Sequence, residues 1–199
     1  DQILRKDYFK KGKNQFRAFF LILFFILINY NANANECDVN HKNSHIEFLG
    51  SHIGNVFKGK FIDFTGKINF DFNNLDQSDA KILIKTDSAL TKNQEYDLTL
   101  KKSDWFNVKK YPEAHFQTSK ISKIKEDYYN IDGKLRIKNI TLPHSFSGKI
   151  IKEGKKATLN ATSAINRLDF NIGKSSDPKA EWVSNNINLN IKIECLFSK

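Results

Sequence analysis

Apolar and polar residues change places at every step along much of this chain. Ile187, Leu189, Ile191 and Ile193 alternate with Asn188, Asn190, Lys192 and Glu194, and Cys195 continues the apolar set. Residues 129–138 behave likewise: Tyr129, Ile131, Gly133, Leu135 and Ile137 share one side, Asn130, Asp132, Lys134, Arg136 and Lys138 the other. A period of two marks a strand with one buried face. Ile68, Phe70 and Phe72 show it, as do Ile82 and Ile84, and weaker versions predict strands over 45–49, 56–64, 114–124, 144–152 and 156–164. About eight strands of this kind, joined by short polar links, predict an all-β domain, an antiparallel sandwich or closed barrel.

The rhythm breaks between Ala89 and Phe106, where Leu98, Leu100, Trp105 and Phe106 fall at mixed spacing. This stretch reads as a short helical and loop segment capping one end. It runs into a knot of aromatics, Trp105, Phe106, Tyr111 and Phe116, interrupted by Pro112. Proline pushes the residue before it out of helical geometry, so the chain should turn at Tyr111 and resume as a strand near Ala114. So many rings in a short stretch bury a large area, which predicts a plug or floor for the core.

Composition adds a leader and a compartment. Lys10, Lys11, Lys13 and Arg17 precede an unbroken apolar run from Ala18 to Ile28, and Ala32 and Ala34 follow as small residues of a cleavage site. The run is shorter than the roughly 20 residues of a spanning helix and fits a signal peptide. Residues 1–34 are therefore expected to be removed, leaving 35–199 as one exported domain; an uncleaved anchor is the competing reading. The formal net charge is +10. The leader accounts for part of it, and the remaining bases are interspersed with acids, so no stripe for nucleic acid is present.

Export changes the meaning of the cysteines. Cys37 and Cys195, the chain's two, are most simply one disulfide tying the ends of the domain together. A loop that long contributes roughly 4 kcal/mol on a chain-entropy argument. Cys37, His41 and His45 at four-residue spacing are the rival, metal-binding reading, but on a strand such spacing is not contiguous.

No other chemistry assembles. His41, His45, His52, His115 and His144 lie in no metalloprotease, phosphate-loop or nucleophile-elbow motif, so neither an enzyme nor a cofactor is expected. Asp97 and the Arg167–Asp169 pair, flanked by apolar residues, read as structural bonds at a barrel end or as contacts to a ligand head group. An eight-stranded barrel has room for side chains or for one small ligand. Seventeen Phe suit either a filled core or a dry tunnel for an alkyl or isoprenoid chain.

At this point the residues match a known pattern. Gly59 to Gly66, continued by Asn69, Phe70 and Asp71, resembles the G-x-F-x-x-F-x-G opening of the YceI-like family. Residues 105–119, Gly133 to Pro143, and Arg167 to Ile172 resemble three further blocks of that family, in the same order. The resemblance covers about residues 44–193 and implies a lipocalin-like, eight-stranded antiparallel barrel exported to the bacterial periplasm. It implies carriage of a polyisoprenoid or other long-chain lipid, without catalysis. Phe61, Phe64, Phe106, Phe116, Leu135, Ile137 and Phe170 become candidate wall residues by match, with Phe48, Phe70, Trp105 and Phe146 beside them and Asp97 and Arg167 as candidate head-group contacts. Asn139 and Asn171 stand where the family has Gly, and Thr99 where it has His. The alternative is a non-catalytic partner of an envelope redox or stress protein, its barrel filled by Phe side chains.

Overall fold

A computed structural model describes residues 36–197; the expected leader lies outside the described residues. Eleven strand segments and one α-helix follow one another: β1 Glu36–Val39, β2 His45–His52, β3 Asn55–Phe61, β4 Phe64–Asn69, β5 Asp79–Lys85, β6 Ala89–Thr91, α1 Gln94–Lys101, β7 Glu113–Lys125, β8 Tyr128–Ile137, β9 Ile140–Glu153, β10 Lys156–Asn166 and β11 Asn186–Phe197. Three pairs (β1/β2, β3/β4 and β5/β6) are single long strands with a break inside them. Counted so, eight strands run up and down around a closed antiparallel barrel, each next to its sequence neighbour. Closure falls on β11, which pairs with β10 along its length, with β2 at Asn188–Lys192 and with β1 at Cys195–Phe197.

The alternation read from the sequence sets which side chains face inward. Ile187, Leu189, Ile191, Ile193 and Cys195 line the interior face of β11, and Ile131, Leu135 and Ile137 that of β8. Long strands at this curvature need relief where large rings point inward. Phe48 lies directly opposite Gly59, and a Cβ on Gly59 would stand 2.2 Å from Cζ of that ring. Gly133 gives Phe116 the same clearance across β7 and β8, at 2.5 Å. A missing side chain on one strand thus houses a ring from the next.

The breaks were not visible in the sequence, which predicts one strand over 56–64 and another over 68–72. In the structure the kink at Ile62–Asp63 is bonded to the kink at Thr86–Ser88: the Asp63 amide donates to Ser88 Oγ at 3.2 Å and the Lys85 amide to the Asp63 carbonyl at 3.0 Å. The strand then ends at Asn69, because Asp71 Oδ1 accepts from the Asn73 and Asn74 amides and winds the chain into a turn. A third break, at residues 40–44, folds over Glu194, whose carboxylate accepts from Asn40 and Asn43 Nδ2, each at 2.7 Å.

The two ends differ. At one, β6 pairs only with β3, and the connector 92–112 rises into the gap before β7. Its helix α1 starts where Asn93 Oδ1 accepts from the Glu95 and Tyr96 amides. Trp105 and Phe106 follow it into the core, as the aromatic knot implied. The turn at Tyr111–Pro112 is held by Thr86, whose Oγ1 donates to the Tyr111 carbonyl at 2.8 Å. The other end is a floor, where Phe70, Ile121, Tyr129, Ile131 and Ile150 pack together. Cys37 and Cys195 form a disulfide there, across 158 residues of sequence. The bridge removes the sulfur that a Cys–His metal set would need. Reducing it, or replacing both cysteines by Ala, should lower unfolding stability by about 4 kcal/mol, read as a shift in denaturant midpoint between oxidised and reduced protein.

Candidate functional site: an apolar tunnel under a polar mouth

Two cavities lie one above the other inside the barrel. The lower, about 150 Å³, is walled by Ile68, Phe70, Ile82, Phe116, Ile131, Phe146, Leu159, Ile191 and neighbours. The upper, about 100 Å³, lies between Phe48, Phe57, Phe61, Trp105, Phe106, Ile137, Ile165 and Ile187. Ile46, Ile84, Leu135 and Leu189 border both and form a waist between them. An apolar cavity near 150 Å³ stays dry and takes a benzene-sized group. Above the upper chamber lies a mouth of about 390 Å³, which shares Phe57, Leu100, Trp105 and Val183 with it and adds His52, Thr91, Asn93, Glu95, Tyr96 and Thr99.

Most of the residues singled out from sequence meet on this axis. Phe48, Phe61, Trp105, Phe106, Ile137 and Arg167 line the upper chamber, Phe70, Phe116 and Phe146 the lower, and Leu135 both. Phe64 and Phe170 are buried at 3% exposure but sit behind the wall: Phe64 packs with Ile46 and Ile193, Phe170 with the cluster around Phe106. Asp97 faces the chain, not the cavities, and accepts from the Thr91 amide at 2.6 Å and from Thr91 Oγ1 at 2.8 Å. It therefore fastens α1 to β6.

Arg167 holds the roof. It is 1% exposed, yet its guanidinium donates to the carbonyls of Ile172 (2.8 Å), Val183 (2.8 Å) and Ser184 (3.1 Å) and to Asp177 Oδ2 (2.6 Å). The guanidinium also stacks 5.7 Å from the Trp105 ring. Its ion-pair partner is Asp177 and not Asp169. The 3₁₀ turn Arg167–Phe170 turns Asp169 out to solvent, while residues 173–183 wrap Asp177 back underneath. Burial alone would raise the Asp177 pKa, but amides of Val183, Trp182 and Glu181 and the charge of Arg167 hold it below the usual value. Asp104 stitches the same roof to the aromatic knot through the Ser175 and Ser176 amides, each at 2.9 Å. Burial opposes its ionisation, but these bonds bring its pKa down to about 2. Asn171 ends the 3₁₀ turn at φ +52, a left-handed position that Asn tolerates better than most residues.

Sequence reasoning passed over three polar groups of the site. His52 Nδ1 and the Tyr96 hydroxyl share a hydrogen bond of 2.8 Å at the mouth, joining residues 44 positions apart. His144 stands in the wall of the lower chamber with Phe116 and Phe146 around it, its Nε2 bonded to Ser163 Oγ at 2.9 Å. Its parity with Phe146 on β9 was the available signal. Thr118 Oγ1 accepts from the Ala80 amide at 2.8 Å. With these atoms satisfied, the chambers present an almost wholly hydrocarbon surface.

An antiparallel barrel of eight strands around an apolar cavity, open through a polar mouth, is a lipocalin-like architecture. The family model for the YceI-like domain matches residues 38–195, and the chain belongs to the YceI-like family. It is 30% identical over 172 residues to a UPF0312 protein of Ectopseudomonas mendocina, covering 82% of this chain and 90% of that one. A UPF0312 protein of Photorhabdus laumondii is 31% identical over 153 residues, 73% of this chain and 79% of its own. Among solved structures, BcnA of Burkholderia cenocepacia superposes with a TM-score of 0.76 at 24% identity, over 79% of this chain and 99% of that one. The YceI protein of Campylobacter jejuni does so at 0.65 and 28%, over 75% and 87%. A polyisoprenoid binding domain from Saccharophagus degradans has the same fold, with a TM-score of 0.67 at 10% identity over 81% and 98%.

Two outcomes follow from the buried polar groups. Asp177→Asn leaves the Arg167 charge buried without its partner and should cost about 3–5 kcal/mol, measured by denaturant unfolding at neutral pH. Burial holds the His144 pKa below the ordinary value, so the unfolded chain takes up the proton first. Stability from this group is full above about pH 6.5 and declines as the pH falls below it. His144→Leu should flatten that part of the stability curve; an unchanged curve would mean that the imidazole is solvated.

Proposed function

We propose that this protein carries a long-chain, isoprenoid-like lipid with its tail in the two chambers and its head group at the mouth, and that it does so without catalysing a reaction. The observation that carries this reading is the continuity of the axis: mouth, upper chamber, waist and lower chamber are bordered by shared residues. A chain entering there loses contact with water along its whole length, at about 0.8 kcal/mol for each buried CH₂. High affinity then needs no specific tail contact, only length and narrowness. The open interior speaks against a barrel filled by Phe rings. Membership of the YceI-like family and the shared fold with a polyisoprenoid binding domain support the same ligand class.

The mouth favours a neutral or hydrogen-bonding head over a phosphate. His52, Tyr96, Asn93 and Thr99 can donate and accept there, Glu95 is acidic, and no Lys or Arg borders the mouth among the described residues. The leader-like sequence of residues 1–34 and the disulfide support export to an oxidising compartment, the periplasm in a Gram-negative bacterium.

Protein recovered from its own host compartment should therefore carry a lipid adduct, seen by native mass spectrometry and lost on denaturation. Phe106→Ala should weaken retention about tenfold or more, and Leu189→Phe, which narrows the waist, should shorten the longest chain retained. Recovery of an empty barrel that takes up no long-chain lipid on incubation would sink the proposal.

A further inference from the structure

The connecting segments at the mouth carry an excess of positive charge, and four of the exposed large apolar residues among the described residues stand there. The connecting segments at the mouth end, residues 53–54, 92–112, 138–139 and 167–185, hold nine Lys and Arg against six Asp and Glu. Those at the floor, residues 70–78, 126–127 and 154–155, hold one Lys against four acids. Lys123, Lys125, Lys152 and Lys156 on the strand ends beside the floor offset its acids, so the floor is mixed in charge while the mouth segments are basic.

At the positive end stand Ile53, Val56, Leu98 and Trp182, exposed at 61, 79, 58 and 56%. They are neighbours around one opening. The Ile53 amide donates to the Trp182 carbonyl at 2.8 Å. Val56 lies across the β2–β3 hairpin from Ser51. Leu98 projects from α1, whose Tyr96 is bonded to His52 at the mouth. Lys101 lies one turn after Leu98 on α1, and Lys102 follows as the helix ends.

We propose that the mouth end docks on an anionic lipid bilayer, with Trp182, Ile53 and Leu98 entering the interface and the surrounding lysines on lipid phosphates. The inference rests on the carriage reading for its purpose, since it sets the opening of the tunnel against the phase from which a lipid would come. Three features select a bilayer over a protein partner. Protein–protein interface cores are depleted of Lys, whereas here Lys and apolar side chains interleave. Tryptophan suits the depth of the head groups, and lysines reach past buried apolar neighbours to keep their charge in water. The excess of positive charge in the mouth segments draws that end toward an anionic surface.

The test compares vesicles of phosphatidylcholine alone with vesicles that also contain phosphatidylglycerol, using protein as its host processes it. Wild-type protein should sediment with the anionic vesicles, and less so as salt is raised. The double change Lys101→Glu/Lys102→Glu should weaken binding about tenfold, and Leu98→Ser/Trp182→Ser by a similar factor. Brominated lipids should quench tryptophan fluorescence, and Trp182→Phe should abolish most of that quenching, leaving only what reaches the half-buried Trp105 inside the mouth. Residues 1–34 are common to all variants, so any contribution of theirs cancels in the comparison. Equal binding to both vesicles, or binding that ignores these four positions, overturns the proposal; so does capture of an envelope protein through them without vesicle binding. None of the four lines the chambers, so lipid retention measured on the same preparations separates the readings. A lipid-filled barrel that ignores vesicles removes the docking surface alone, whereas an empty barrel that still docks through Trp182 removes carriage.

Discussion

Strand β11 is the element on which the barrel depends. It donates and accepts along both edges, to β10 on one side and to β2 and then β1 on the other. An open sheet of this length would leave a row of unpaired amides and carbonyls, and its apolar face would be half wet. Closure through β11 removes the edge and encloses the apolar faces in the same step. The disulfide and the Glu194 knot both act on β11, at its floor end, where the short strand β1 alone would hold it weakly.

Closing a barrel does not fill it. Facing rows of Phe and Ile would meet at the axis if every inward position carried a large side chain. Gly59 and Gly133 instead let Phe48 and Phe116 lie back against the sheet, in the space a Cβ would occupy. The rings therefore pave the wall and leave the axis open. Lost packing along an open axis costs stability, and the compensation sits at the two ends: the bridged floor below, and above it a roof in which one buried guanidinium collects three carbonyls and a carboxylate. Rigid ends around an underpacked middle are what a barrel requires if a flexible chain is to be held there without collapse of the walls.

The parts of this arrangement that depend on local period were legible in the sequence. Strands β8 and β11 alternate without interruption, and the side chains they were assigned to the interior are the ones that line it. The aromatic knot at Trp105 and Phe106 was placed at a barrel end and lies there. What could not be read are contacts whose two halves are far apart in sequence and carry no periodic signal. The kinks at 62–63 and 86–88 exist because each bonds to the other. Asp177, in a stretch without alternation, takes the place by Arg167 that nearness in sequence suggested for Asp169. His52 and Tyr96 meet only because the hairpin and α1 rise to the same height.

Charge distinguishes the mouth end, as packing does. The interior wall is nearly neutral, and the connecting segments around the mouth carry more Lys and Arg than Asp and Glu. Such an asymmetry contributes little to folding, because its charges are exposed and screened over about 10 Å at ordinary salt. Its effect falls on approach and orientation. On the carriage reading the mouth must meet the phase that holds the lipid, and the basic residues beside it supply an orientation that the apolar interior, which is blind to direction, does not.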